Sequence, residues 1–118
     1  MPVRFPVRMS DGSFVVLASI RGVEATEDAV RAWIATWAVN NAVWRRPWTA
    51  QGRERVEVLN LHDEFSEPPS LDRLAGGELR VRFRGLPGAK MWKDWLAKFT
   101  LDFLAAHEGT SLIRFASG

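Results

Sequence analysis

TEDAVRAWIATWAVNNAVWRRPW, residues 26–48, holds four of the six tryptophans in the chain. Val30, Trp33, Ile34, Trp37 and Trp44 fall at the three-, four- and seven-residue intervals that line one face of an α-helix. Thr26 is a capping residue, and Glu27 and Asp28 place negative charge in the first turn, where the helix dipole favours it. Pro47 disfavours helix at Arg46, so the spacing predicts a helix that ends near Val43 to Arg45. The rest of the chain reads as short strands and one further amphipathic helix that bury against this stripe.

Upstream, Val3, Phe5, Val7 and Met9 alternate with Arg4, Pro6 and Arg8, the period of a strand with one apolar face. Pro6 lacks an N–H and belongs on a sheet edge. Ser10 to Ser13 is turn chemistry, and Phe14 to Ile20 is a nearly continuous apolar run, so the two runs read as a hairpin. Downstream, Arg55 to His62 is a strand whose alternation slips: Val56 and Val58 share one face, Leu59 and Leu61 the other. The slip predicts burial on both faces or a bulge. Asp63 to Gly77, with two prolines and two glycines, reads as a long acidic loop.

Glu78 to Arg84 alternates cleanly, with Leu79, Val81 and Phe83 on one face and Arg80, Arg82 and Arg84 on the other. Trp92, Trp95, Leu96, Phe99, Phe103 and Ala106 mark a second helix, which Gly109 closes. Leu112 to Phe115 is a last strand. The order ββαββαβ predicts one α+β domain over residues 1–118. Its sheet is mostly antiparallel, of about five strands, with both helices on one face.

Composition narrows the function. At 118 residues, 47% apolar and 25% charged, the chain is of globular, single-domain type. With no cysteine it has no thiol nucleophile, disulfide framework or thiolate metal site, which suits a reducing cytoplasm. Arginine and proline interrupt the N-terminal residues, and the charge-free run from Ala32 to Val43 is too short to span a bilayer. The expectation is a soluble protein without a signal peptide or membrane association. The sequence pI of 9.7 reflects thirteen arginines and no tyrosine more than the net charge of +2. The distribution is more informative. His62 to Glu78 holds five carboxylates and one arginine, whereas Leu79 to Lys98 holds six basic residues and one acid.

Three surfaces emerge as candidates. Trp44 and Trp48 bracket Arg45, Arg46 and Pro47, and tryptophan and arginine are the types most enriched in interface hot spots. Asp63, Glu64 and Glu67 in the acidic loop could meet a basic partner. Arg80, Arg82 and Arg84 could form a phosphate platform, but the strand carries no interleaved aromatic on that face, so pairing with Glu54 or Glu57 across the ladder is the better expectation.

Phe83 to Lys90, FRGLPGAK, runs from strand through a glycine turn into a helix. Arg84, Gly88, Lys90 and Lys93 there form a candidate anion site, although the Walker A spacing is absent. Basic residues are mildly unfavourable at a helix start, and a carboxylate from the acidic loop is the expected relief. His62-Asp63-Glu64 is the one cluster of a base with carboxylates, but neighbouring strand residues point to opposite faces. No catalytic or metal motif appears, and no cofactor is implied.

The reading is a small non-catalytic module that binds another protein, of the kind that neutralises a basic toxin or effector or inhibits in some other way. The alternatives are a ligand-binding protein or enzyme with a tryptophan-lined pocket between sheet and helices, and a weak nucleic-acid binder using the arginine face. A homodimer that buries Trp44 and Trp48 fits the same pattern.

Overall fold

A computed structural model describes residues 8–117. The fold is α+β, and among the described residues it has six strands, paired antiparallel, and two α-helices: β1 (Phe14–Arg21), α1 (Glu27–Asn40), β2 (Val43–Ala50), β3 (Arg53–Asn60), β4 (Ser70–Arg73), β5 (Leu79–Gly85), α2 (Trp92–Ala106) and β6 (Leu112–Ser117). β4, β5, β1 and β6 form one sheet in that order, and β2 and β3 form a second. The strand expected over Val3 to Met9 falls largely outside the described residues. Arg8 bridges Phe14 across the Ser10–Ser13 turn.

The alternation read in β1 and β5 builds the core. Phe14, Val16, Ala18 and Ile20 of β1 and Val81 and Phe83 of β5 are buried on the face that α1 and α2 cover. From the helices come Val30, Ile34 and Trp37, and then Trp92, Trp95, Leu96, Phe99 and Phe103. The rings meet mainly edge to face: Phe83 and Phe99 lie 5.2 Å apart, as do Trp37 and Phe99. That is the arrangement the ring quadrupole favours. Thr26 caps α1, its Oγ1 accepting from Ala29 N–H at 3.2 Å. Among the described residues, no helix is long and apolar enough to cross a membrane.

The first helix is shorter than its stripe suggests. It ends at Asn40, where the Asn41 backbone N–H and side-chain amide both donate to the Trp37 carbonyl, each at 2.9 Å. Paired asparagines compete with the helix for its own carbonyls, and the residues beyond them include the strand formers Val43, Trp44 and Thr49. Trp44 to Trp48 therefore lie in β2, not at a helix end.

β2 turns back into β3 through Gln51 and Gly52, whose φ values of 52° and 74° give both central residues the left-handed backbone of a tight hairpin turn. The slip in β3 is neither a bulge nor two-sided burial. Val56 and Val58 are 62% and 51% exposed, Leu59 faces inward, and Leu61 belongs to a short 3-10 turn beyond the strand. The acidic loop, too, contains structure: β4 pairs with β5.

Candidate functional site

The β2–β3 hairpin is an arm. Its strands pair with each other over eight positions, from Val43↔Asn60 to Ala50↔Arg53. The radius of gyration of 15.2 Å exceeds the about 13–14 Å of a compact domain this size. A free two-stranded hairpin is marginal in water, so its root must be held.

One face does this. Leu59 is buried, and Trp44 packs against Trp95 with ring centroids 5.2 Å apart. The cations of Arg46 and Lys98 each lie 5.2 Å from the Trp44 ring. Arg46 also reaches Glu57 at 2.7 Å and Asp94 of α2 at 3.2 Å. Glu57, its hydrogen-bond partner, raises the pKa of the Arg46 guanidinium, and Asp94 adds to the effect. Trp44 and Arg46 thus anchor the arm to the body.

The opposite face carries Val43, Pro47, Val56 and Val58, and all four side chains are exposed. Farther out on the anchored face, Trp48 is 47% exposed opposite Arg55. Of the expected Trp/Arg corner, Trp48 and Arg45 face solvent, whereas Trp44 and Arg46 are partly buried. At the root, Ala35, Ala38, Val39, Ala42, Leu61 and Phe65 line an open apolar groove of about 560 Å³. Its Ala42 immediately precedes Val43, so groove and valine face meet in the chain.

The acidic loop is largely used within the chain. Glu64 is 9% exposed, and its Oε2 accepts from the Met91 N–H at 3.1 Å, at the start of α2. Its buried side chain is therefore not offered to a partner. It places a carboxylate of the acidic loop at the helix start that carries Lys90 and Lys93, bonded to the backbone there. Glu67 pairs with Arg84 at 2.9 Å, and Asp63 stays exposed. Of the candidate anion site, Arg84 thus faces a carboxylate of the protein itself, and a second carboxylate, Glu64, occupies the backbone N–H between Lys90 and Lys93. Replacing Glu64 with Ala should cost about 0.5–2 kcal/mol, the worth of a helix cap, and Gln, which keeps an acceptor, should cost less. Urea unfolding of the two variants measures the difference.

The arginine row pairs with neighbours other than those expected. Arg82 meets Asp72 of β4 at 3.4 Å, Arg84 meets Glu67, and Arg80 stands opposite Asp72 and Ser19 in the ladders. Glu54 and Glu57 are in the arm instead. His62 and Asp63 are exposed and 3.5 Å apart while Glu64 turns inward, so the three do not converge. Among the described residues, no group of three or more potential ligands could hold a metal ion. Trp37, Trp92 and Trp95 are buried, and Trp33 packs edge-on against Phe99 and Phe103, so these tryptophans pack as core.

The exposed valines were missed by sequence reasoning. Their signal was the slip itself, since Val56 and Val58 alternate with charged residues while the inward position, Leu59, falls out of phase. Comparison with known protein families, curated proteins and solved structures finds no match to this chain.

Proposed function

We propose that this chain is a protein-docking module whose working element is the β2–β3 arm. The observation that carries the reading is the exposed face of Val43, Pro47, Val56 and Val58 on a ribbon that is anchored by its other face. Scattered surface valines need no explanation, but several on one face of a projecting hairpin mark an interaction site. Trp48 adds an aromatic anchor, the type that dominates interface energetics.

The charge favours a partner with an acidic rim. Residues 43–60 carry four arginines against two glutamates, and Arg46 and Glu57 neutralise each other. Inhibition or toxin neutralisation, in which a rigid ribbon fills a cleft, is the form of docking this arrangement suits. A cytoplasmic setting suits the lack of cysteine.

The test is affinity capture by the full chain, followed by kinetics on the captured partner. Trp48→Ala should speed dissociation and cost at least about 2 kcal/mol of binding. Val56→Asp should abolish capture. A partner whose kinetics ignore both changes would place the interface elsewhere.

A further inference from the structure

The arm has two backbone edges, and they differ. Ala50 and Arg53 flank a two-residue turn and form the first hydrogen-bonded pair of the ladder. Alternation from there puts Pro47 and Val56 in a non-hydrogen-bonded pair, with their backbone groups pointing outward. On β2 the outward position at its middle is a proline, which has no N–H and blunts that edge against strand addition. On β3 the outward positions are Glu54, Val56, Val58 and Asn60, each with a donor and an acceptor. Among the described residues, β3 pairs only with β2.

The sequence of β3 is complementary to itself. About Val56 it reads Arg55-Val56-Glu57. If two copies of β3 pair antiparallel with Val56 opposite Val56, Arg55 of each faces Glu57 of the other. These two contacts fall at non-hydrogen-bonded positions, where side chains approach most closely. Neighbouring registers lose this: centring on Glu54 opposes Glu54 to itself and Arg53 to Arg55, and centring on Glu57 opposes Glu57 to itself and sets Arg55 against Leu59. Arg55 has no ion-pair partner among the described residues, and Arg46 engages one oxygen of Glu57, leaving the other free to accept.

We infer that the occupant of the β3 edge is a second copy of this chain, the two arms joining through antiparallel β3–β3 pairing about Val56 into one four-stranded ribbon. The pairing uses the backbone edge and leaves the valine face available, so it goes beyond the docking reading and is tested without any partner.

Sedimentation velocity on the purified full chain should show a concentration-dependent species of twice 13.3 kDa. Arg55→Glu alone and Glu57→Arg alone each oppose like charges twice, and each should weaken dimerisation by about tenfold or more. Mixed one to one, the two variants present opposite charges at both contacts and should restore the dimer. Backbone amide exchange on the wild-type chain provides a readout independent of either variant's folding. The Val56 and Val58 amides should gain protection as concentration rises. A chain that stays monomeric up to about 1 mM, beyond the dissociation constants of specific interfaces, overturns the inference. A dimer indifferent to both variants, a mixture that does not re-associate, or a dimer with unprotected Val56 and Val58 amides also overturns it.

Discussion

Phe99→Ala should remove about 3–5 kcal/mol of stability, the range for truncating a buried aromatic. Phe99 is fully buried where both helices meet the sheet, with ring centroids of Trp37 and Phe83 each at 5.2 Å and of Phe103 at 5.7 Å. Truncation removes both the transfer energy of the ring and its contacts with rings from three elements. Those neighbours belong to helices and a strand and cannot collapse into the space without moving them. Trp37→Ala should fall in the same range, because it also strips Asp102 of the indole N–H that donates to it at 2.8 Å. Denaturant unfolding measures both. Losses below about 1 kcal/mol at both positions would mean that these helix faces do not form the core.

Gly85→Ala is the second large effect, and its cause is steric. Gly85 stands opposite Phe14 in the β1–β5 ladder, and a Cβ at residue 85 would overlap the Phe14 ring. That ring is buried and packs 5.1 Å from Trp92, so it has no open side to move into. Overpacking of this kind costs about 1–3 kcal/mol, and more where neighbours are fixed. Gly85 does not have the left-handed backbone that would itself penalise alanine. Combining Gly85→Ala with Phe14→Leu should therefore recover part of the loss, a coupling that unfolding of the two single variants and the double variant reads directly. Strict additivity would contradict the steric account.

What the sequence made legible follows the range of the forces involved. The stripe of α2 and the alternation of β5 are local patterns with one inward face, and both appear in the structure as read, except that Ala106, at the end of the stripe, is exposed. The arm was hidden because Trp44 lies seven residues after Trp37, a helical interval, while Trp44, Arg46 and Trp48 equally suit one face of a strand. The Asn40-Asn41 pair decides between them, a local signal outweighed by the length of the apolar stripe. The fate of Glu64 was not legible at all. It caps a helix 27 residues away, and only the tertiary fold brings the Asp63–Pro69 segment beneath Met91. The charge dipole seen in the sequence between the acidic loop and the basic segment after it is in part an internal match, Glu67 to Arg84 and Asp72 to Arg82, and is consumed by folding.

The central claim is that the outer arm is built for contact and not for stability. Thermal unfolding of a Trp48→Ala/Val56→Ser/Val58→Ser chain tests it most directly. The account predicts a melting temperature within a few degrees of wild type, because exposed substitutions rarely exceed about 0.5 kcal/mol each. It also predicts unchanged near-ultraviolet circular dichroism from the buried Trp37, Trp92 and Trp95. Loss of cooperative unfolding, or of that aromatic signal, would show that the outer arm is part of the core and contradict the account.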